Sequence, residues 1–484
     1  MHRFLKFFVL LLSVVVGAAT PLSAQWYCQY ATWDSDTNGT GHQTASVAVF
    51  SENTFAALVA TPGIRNFMVP YKNADSSHGR LYKYGYGSPA TNVFQVWTDG
   101  LFDQVQMFNM YKITATKDSM IYGANNDLDH NILVFKLTRD TILIAPGNKR
   151  QPTGTNSIFG IEVDQAGYVY VCNDTTTGKT DDIKIYPPIS SWTDLHNQTP
   201  SRTIDLPDGI YKGITASPDG KMIFVSDYGN RRILKYKGSV ASGFTQDAGF
   251  NFTMSPTDSV AGGSLKPSVL GLAYLSPNNI LFAATHVWRG GGTYYSYGKI
   301  FLINPKTGAL VSTDSTISVI NTAAWNFTIT GGYNLRGSGT AYGNASGYTS
   351  NYDVEFDDKG NLYTQSYYGW TADKWKYNGT LPTITLTDVK PVEGVVPRSF
   401  DLGQNYPNPF NPSTTFDFAV PTAGHVVLRV YDVLGQHVET LMDDDVRGGV
   451  YHARYDASHL SGGTYFYTMT FNGQSQTKRM VLLK

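Results

Sequence analysis

Residues Gly213–Tyr236, GITASPDGKMIFVSDYGNRRILKY, carry the clearest structural signal in this chain. They predict three short strands separated by the tetrapeptides Ser-Pro-Asp-Gly (217–220) and Asp-Tyr-Gly-Asn (227–230). Proline presets φ, aspartate bonds the backbone ahead of it, and glycine and asparagine tolerate positive φ, so both tetrapeptides favour turns. A three-stranded meander cannot bury both of its faces alone. It therefore requires neighbouring sheets.

Five other segments repeat this pattern of strand, tight turn and strand, beginning at Ser46, Lys112, Gly160, Gly271 and Asp353. Third strands are predicted at Arg80–Tyr84, Ile132–Lys136, Ile183–Tyr186, Arg231–Tyr236, Lys299–Ile303 and Lys374–Tyr377, and fourth strands at Phe94–Trp97, Thr141–Ile144, Arg202–Leu206 and Thr383–Thr387. Repeated four-stranded units predict a β-propeller, because each twisted sheet packs its faces on its neighbours. We predict an all-β chain with a propeller over residues 25–388, six blades being favoured over seven, and a closing role for the strand-like segment Trp26–Trp33.

The composition bounds the location of the protein. Residues 1–24 have a basic start, an apolar run and a small residue before the cut, which predicts a secretory signal peptide. No later run is apolar enough to cross a membrane. The 484 residues carry a net charge of −1, which gives no electrostatic footprint for nucleic acid. Cys28 and Cys172 could pair in an oxidising compartment, or Cys172 could be a buried thiol; the sequence leaves both open.

Three of the repeats resemble those of NHL-type and gluconolactonase-like propellers: VDQAGYVYV (163–171), the opening stretch from Ser217, and FDDKGNLYT (356–364). The resemblance implies the fold much more strongly than a function. Gluconolactonase-like enzymes hold a divalent ion at the start of their first strands. The matching positions here are not obvious ligands: Tyr111, Phe159, Lys212, Leu270 and Tyr352. Asp353 is the nearby carboxylate, and Glu162 and Glu355 alternate on strands, so we do not carry the lactonase activity over.

The loops between second and third strands should lie on one face of the ring, and most are long, for example 61–79 and 285–297. Two of them are rich in aromatic side chains, which offer stiff contact area with a polar tip. The predicted ligand-binding residues are Trp288, Arg289, Tyr294, Tyr295, Tyr367, Tyr368 and Trp370. The alternative is that these aromatics only pack on one another at the rim.

Two polar segments are candidates for calcium. Asp34, Asp36 and Asn38 match the first half of a calcium loop, although Ala45 stands where a closing glutamate belongs. Asp127 and Asp129 repeat the alternation without its glycine. The alternative for both is a solvated polar turn, so calcium is the one cofactor we consider and none is firmly predicted.

The C-terminal 80 or so residues differ in pattern. Alternating segments such as HVVLRVYDV (425–433) and TYFYTMTF (464–471) predict half-buried strands of a small β-sandwich. The block closely resembles the type A C-terminal sorting domain of the bacterial type IX secretion system, which is Ig-like. The residues that carry the resemblance are Asn405, Pro407, Pro409, Phe410, Gly435, Gly463, Tyr465, Lys478 and Lys484. We place a linker at 389–401 and the sorting domain at 402–484.

This resemblance implies that the type IX machinery and its signal peptidase handle the chain, which is then secreted or displayed on the outer surface of a Gram-negative bacterium. The sequence contains no Gly-x-Ser-x-Gly elbow and no His-Glu-x-x-His helix, so no catalytic motif predicts an enzyme. We predict a recognition module for an extracellular glycan or protein. The alternative is an extracellular hydrolase or lyase, lactonase-like, with acid–base residues among Asp127, Asp129, His130 and His286.

Overall fold

Antiparallel β-strands form nearly all the regular structure in the computed structural model of this chain. The prediction of an all-β protein is confirmed. The structure describes residues 26–33, 44–61, 65–71, 93–98, 101–106, 110–125, 132–138, 141–144, 158–173, 181–188, 199–255, 266–276, 278–286, 298–321, 352–366, 371–384, 388–392, 397–457 and 460–483.

The part that precedes the C-terminal block contains 26 strands among the described residues. They are β1 (Trp26–Trp33), β2 (Thr44–Ser51), β3 (Thr54–Thr61), β4 (Arg65–Tyr71), β5 (Val93–Thr98), β6 (Leu101–Gln106), β7 (Lys112–Ala115), β8 (Met120–Ala124), β9 (Ile132–Thr138), β10 (Thr141–Ile144), β11 (Ile158–Val163), β12 (Val169–Asn173), β13 (Asp182–Tyr186), β14 (Arg202–Asp205), β15 (Tyr211–Ala216), β16 (Met222–Asp227), β17 (Arg232–Ser239), β18 (Gly243–Gln246), β19 (Phe252–Thr253), β20 (Ser268–Leu275), β21 (Ile280–His286), β22 (Lys299–Ile303), β23 (Val319–Asn321), β24 (Val354–Phe356), β25 (Leu362–Ser366) and β26 (Thr371–Tyr377).

These strands form consecutive antiparallel meanders, which we number by sheet. Sheet one is β2–β4, sheet two β7–β10, sheet three β11–β14, sheet four β15–β18 with β19 beside β17, sheet five β20–β23, and sheet six β24–β26. The first strands contact one another in the order β2, β7, β11, β15, β20, β24 and back to β2. This order is cyclic, so the first strands surround a common axis.

The turn between first and second strands explains the repeated sequence pattern. In sheet three, the Asp164 carboxylate accepts hydrogen bonds from the Tyr168 amide at 2.9 Å and the Tyr170 hydroxyl at 2.7 Å. In sheet six, the Asp357 carboxylate accepts from the amide of Asn361 at 2.9 Å and the hydroxyl of Tyr363 at 3.2 Å. The spacing Asp-x-x-Gly-x-x-Tyr therefore closes the turn and fixes the tyrosine of the second strand.

The first and last strands of the part that precedes the C-terminal block pair with each other and so close the cycle. β1 pairs with β26, so that it takes the outer position in sheet six. The predicted closing role of Trp26–Trp33 matches this pairing. β1 therefore stands where the segment Thr383–Thr387 was predicted as the fourth strand. Thr383 and Ile384 belong to no strand, and residues 385–387 are outside the described part of the chain. The Ile384 amide donates to the Asn278 carbonyl at 2.8 Å.

Sheet one departs from the prediction. Its third strand is Arg65–Tyr71, inside the segment predicted as a loop, and it pairs with β3 along its whole length. The predicted third strand at Arg80–Tyr84 is outside the described residues. The predicted fourth strand, Phe94–Trp97, instead pairs with Leu101–Gln106 in a separate two-stranded sheet. Pro70 within β4 makes that strand hard to recognise, because proline removes a donor from the ladder.

Helix is scarce in the described part of the chain. The helix α1 (Ser315–Ser318) is a single turn, and its Asp314 cap accepts from the Thr316 amide at 2.8 Å. Within the described ranges, no helix has the length and apolar character needed to cross a membrane.

The C-terminal block contains eight strands: β27 (Asp388–Val392), β28 (Asp401–Leu402), β29 (Ser413–Val420), β30 (Gly424–Tyr431), β31 (His437–Val446), β32 (Gly449–Asp456), β33 (Gly463–Phe471) and β34 (Gln474–Leu482). They form two antiparallel sheets, ordered β27-β32-β29-β28 and β31-β30-β33-β34. Both sheets contribute to one buried core, which includes Phe416, Leu428, Ala453 and Met469. The segment predicted as a linker, 389–401, is therefore corrected: its first residues belong to a strand of this block.

Candidate functional site

Apolar side chains line the axis at the point where the first strands begin, around a small cavity of about 20 Å³. Ala45, Tyr111, Phe159, Leu270 and Tyr352 form one buried cluster, with exposed fractions of 8% or less. The rings of Tyr111 and Phe159 stack with centroids 5.7 Å apart. Lys212 adds its ammonium group 3.3 Å from the centre of the Phe159 ring, which is cation–π geometry. Tyr111, Phe159, Lys212, Leu270 and Tyr352 are the positions that match the ligand positions of gluconolactonase-like propellers, and none of them is an obvious metal ligand.

The next residue of each first strand divides the cycle into two halves. Sheets six, one and two place Asp353, Ser46 and Lys112 there, whereas sheets three, four and five place Gly160, Gly213 and Gly271. A Cβ atom on Gly213 would lie 2.0 Å from the Leu270 carbonyl oxygen, and one on Gly271 would lie 2.5 Å from that of Tyr352. Glycine is thus required where neighbouring backbones touch.

Lys112 is the centre of the polar half. Its ammonium group donates to Asp353 at 2.6 Å and to Glu355 at 2.7 Å, and the Lys112 and Asp353 side chains are 7% and 1% exposed. β7 and β24 are not neighbours in the cyclic order but are separated by β2, so this contact joins sheets two and six. Asp353 also accepts from the Ser46 hydroxyl at 2.5 Å, and that hydroxyl accepts from the Ile113 amide at 2.9 Å.

Glu162 connects this cluster to the opposite half. One of its carboxylate oxygens accepts from Thr114 at 3.2 Å, and the other from Thr215 at 3.0 Å. Its own strand supplies a third donor, the Val163 amide at 2.9 Å. Glu162 therefore joins sheets two, three and four around the axis.

Lys112, Glu162, Asp353 and Glu355 form an axial cluster, in which burial acts on the pKa values of the lysine and of both glutamates. Burial raises the pKa of Glu355 to about 8, and the nearby Glu162 and Asp353 charges act in the same direction against the attraction of Lys112. Burial also raises the pKa of Glu162. Burial opposes the charge on Lys112, yet the attraction of the three carboxylates raises its pKa overall. The cluster thus keeps its lysine charged and holds a proton among its carboxyl groups near neutral pH.

A divalent ion of the gluconolactonase kind does not fit this arrangement. The positions that would supply its ligands are occupied by the apolar cluster, and the Lys112 ammonium already stands between the carboxylates of Asp353 and Glu355. Among the described residues, no group of three or more His, Cys, Asp or Glu side chains could hold a metal ion. We therefore derive no metal chemistry at the axis.

All of the residues predicted to bind a ligand or calcium lie outside the described part of the chain. These are Trp288, Arg289, Tyr294, Tyr295, Tyr367, Tyr368 and Trp370 for the ligand, Asp34, Asp36, Asn38, Asp127 and Asp129 for calcium, and His130 of the hydrolase alternative. His286 ends β21, but its side chain is not described. Cys172 is fully buried in β12, whereas the Cys28 side chain is not described, so their pairing stays open.

The sequence reasoning brought Glu162, Asp353 and Glu355 into view but missed Lys112. The missed signal was a lysine that opens an otherwise apolar strand, KITA. Alternation is a poor guide at the start of other first strands, where the register shifts between Ile158 and Gly160 and between Tyr211 and Gly213, although β7 itself pairs with β8 without a shift. Each shift moves the inward-facing position by one residue.

In the C-terminal block, the segment Asn405–Phe410 fastens the first residues of the block to its last strand. The buried Asn405 side chain donates to the Pro407 carbonyl at 3.1 Å and to the Thr414 hydroxyl at 3.0 Å. The Asn408 side chain accepts from the Val481 amide at 2.9 Å. Phe410 is 1% exposed, and its amide donates to the Val481 carbonyl at 2.9 Å.

Other residues that carry the resemblance lie in turns and on the surface. Gly435 adopts φ +77 in the turn between β30 and β31, where no heavy atom would meet a Cβ within 4 Å. Gly463 opens β33, and the Tyr465 hydroxyl donates to the Ser461 carbonyl at 2.8 Å. Pro407 and Pro409 are exposed, Lys478 is half-buried in β34, and Lys484 is outside the described residues.

Comparison with solved structures finds proteins of the β-propeller class. The chain is similar to the β-propeller domain of Cps50 (Swd1) from Myceliophteria thermophila, with 12% identity and a TM-score of 0.38 over 70% of this chain and 99% of that one. It is similar to a protein of unknown function from Bacteroides thetaiotaomicron, with 9% identity and a TM-score of 0.43 over 74% and 76% of the two chains. A luciferin-regenerating enzyme shows 11% identity and a TM-score of 0.40 over 75% and 98%. No curated protein matches the sequence.

The C-terminal block matches a protein family directly. Residues 404–483 match the family described as secretion system C-terminal sorting domain. The resemblance to the type IX sorting domain is confirmed, and the type IX machinery handles this chain. The domain directs the protein to the cell surface of a Bacteroidetes-type, Gram-negative bacterium.

Proposed function

We propose that this protein is a recognition module delivered to the cell surface: a six-bladed β-propeller carried by an Ig-like sorting domain. The six meanders and the cyclic contacts of their first strands support six blades. The two packed sheets of the C-terminal block support an Ig-like sandwich. A signal peptide at 1–24 takes the chain across the inner membrane, and the sorting domain takes it across the outer membrane.

The apolar lining of the axis and its small cavity are the observation that favours recognition over catalysis. Propeller enzymes of the gluconolactonase kind use the axial region, but here apolar side chains leave a cavity of only about 20 Å³. The buried Lys112 ammonium group is paired with Asp353 and Glu355. The lining of this cavity includes Lys112 and Lys212 but, among the described residues, no Asp, Glu or His that could act as an acid–base partner. A ligand would therefore meet the outer loops, where residues 287–297 and 367–370 carry all six of the aromatic residues predicted to bind.

The binding proposal is tested on the full chain without its signal peptide. Trp288→Ala combined with Trp370→Ala should weaken binding to a glycan or surface-protein array by at least about tenfold, because buried aromatic anchors dominate binding energies. Leu310→Ala is the matched control, since Leu310 is 41% exposed and pairs with Ile303, at the end of sheet five away from the 287–297 loop. Equal binding by all three proteins would contradict this site. Turnover of a polymer or lactone without array binding would favour the hydrolase alternative.

Export has its own test. Deleting residues 405–484 should leave the protein in the periplasm, measured as the fraction of protein outside the cells and on their surface. Full delivery of the truncated protein would show that export does not depend on the sorting domain.

A further inference from the structure

The strand β27 lies outside the segment that matches the sorting-domain family, yet it pairs with that domain. The family match begins at residue 404, whereas β27 spans Asp388–Val392. Five of its residues pair with β32, from Asp388 opposite Arg454 to Val392 opposite Val450. The chain upstream of the family match therefore supplies two of the eight described strands, β27 and the two-residue β28.

Without β27, the first sheet of the sandwich would be left incomplete. β32 would become an edge strand, and the remaining members would be β29 and β28, which has two residues. An uncovered edge presents a row of unpaired N–H and C=O groups. β32 also buries Tyr451, Ala453 and Tyr455 in the common core, so disorder in this strand would reach the core.

The composition of β27 suits the outer position. Its sequence, DVKPV, contains a lysine and a proline within five residues. Lys and Pro are residues with which natural sheets protect their edges, because a charge repels and a proline withholds a donor. β27 is thus built to terminate this sheet rather than to continue it.

The described hydrogen bonds between the propeller and the segment that follows it extend to Ile384. The Asn279 side chain donates to the Ile384 carbonyl at 2.9 Å, and the Asn278 side chain donates to the Leu381 carbonyl at 3.3 Å. Three residues, 385–387, separate this anchored segment from β27. The boundary between the two folded parts therefore lies before β27 and not after it.

We propose that β27 belongs to the export signal: the secretion machinery recognises a sandwich whose fold is complete only when Asp388–Val392 covers β32. This proposal rests on the export function of the C-terminal block and is independent of any propeller ligand. It extends the functional sorting unit upstream to Asp388.

The test uses the full chain in a secretion-competent host. One variant replaces residues 388–392 by Gly-Ser-Gly-Ser-Gly, which keeps the length but removes the strand. The matched control replaces residues 397–399, which lie in no strand, by Gly-Ser-Gly. The first variant should reduce the delivered fraction at least about fivefold and reduce hydrogen-exchange protection of the β32 amides at least about tenfold. The control should match the unmodified chain in both measurements.

Three results would overturn the proposal. They are normal delivery of the 388–392 variant, equal loss in variant and control, and lost delivery with β32 protection unchanged. Hydrogen-exchange protection of the β16 amides reports whether the propeller stays folded. If the five-residue variant loses this protection too, Lys390→Pro replaces it and is judged by the same outcomes. Failure of the export function itself is distinguished by the 405–484 deletion, which would then be delivered normally.

Discussion

The two halves of the axial cycle occupy the same strand position in opposite ways. In sheets three, four and five the position is glycine, and the Ser226 hydroxyl accepts from the Gly213 amide at 2.7 Å while it donates to the Leu270 carbonyl at 3.2 Å. In sheets six, one and two the position carries Asp353, Ser46 and Lys112, and the Asp353 carboxylate contacts both of the other side chains. The glycine half brings neighbouring backbones into contact, whereas the other half places interacting polar side chains at the same position. The two halves therefore occupy the space near the axis in different ways, one with backbone and the other with side chains.

The largest expected effect comes from Lys112→Met in the charged half. This change keeps an apolar stem of similar length but leaves the Asp353, Glu355 and Glu162 carboxyl groups without their cation. Removing one partner of a buried ion pair costs about 3–5 kcal/mol, because the remaining charge is desolvated and unpaired. Urea denaturation of the chain should show this loss in the free energy of unfolding.

Lys221→Met is the control for this change. Lys221 forms its ion pair with Asp219 on the surface, where its side chain is 57% exposed. The free energy of unfolding should change by no more than about 0.5 kcal/mol. Equal effects at the two positions would mean that Lys112 is not the centre of the axial cluster.

Gly213→Ala tests the glycine half. The added Cβ would lie 2.0 Å from the backbone oxygen of Leu270, so the neighbouring sheets must separate. We expect a loss of about 1–3 kcal/mol in the free energy of unfolding, as for other overpacked sites. Gly249→Ala is the matched control, because its Cβ would approach nothing closer than 3.4 Å. A stability of the Gly213 variant equal to that of the control would show that these sheets can separate at no cost.

Glu355→Gln gives a smaller effect that depends on pH. Because burial raises the pKa of Glu355 from 4.5 to about 8, the folded protein binds a proton that the unfolded chain has released. Its contribution to stability is complete below about pH 4.5 and is lost as the pH rises towards 8. The glutamine variant does not titrate, so its stability should fall less over this range and exceed the wild type by about 1–2 kcal/mol at pH 8. Parallel pH profiles would contradict this expectation.

Glu52→Gln should show the opposite sign and the smallest effect. Hydrogen bonds from Lys359 and Lys374 lower the pKa of Glu52 to about 2 at the junction of sheets one and six. The stabilisation is present above pH 4.5 and is lost as the pH falls towards 2. At pH 7 the variant should lose about 0.5–1 kcal/mol, since the glutamine amide oxygen can still accept from the buried Lys374 ammonium group and solvent already weakens the ion pair with the exposed Lys359. Thermal melts of the wild type and of both variants at pH 7 and pH 3 distinguish Glu52 from Glu355, because lowering the pH changes their contributions to stability in opposite directions.

Sequence reasoning succeeded where a residue pattern has a local cause. The Asp-x-x-Gly turns of sheets three and six were predictable because Asp164 and Asp357 bond to amides four residues ahead. The sorting domain was predictable because Asn405 and Phe410 belong to one short segment with a distinctive sequence. β4 was missed because Pro70 obscures its pattern, and β27 was missed because five residues with Lys390 and Pro391 resemble a linker.

The sequence by itself determined the all-β class, the repeated meander and the sorting domain, because turn chemistry and strand alternation act over fewer than about ten residues. The tertiary structure alone decided which side chains meet at the axis. Ser46 and Asp353 are 307 residues apart and share a hydrogen bond, while Lys112 reaches Asp353 from a strand that is not its neighbour. Such pairs depend on closure of the cycle and on one-residue register shifts, and neither leaves a local pattern in the chain.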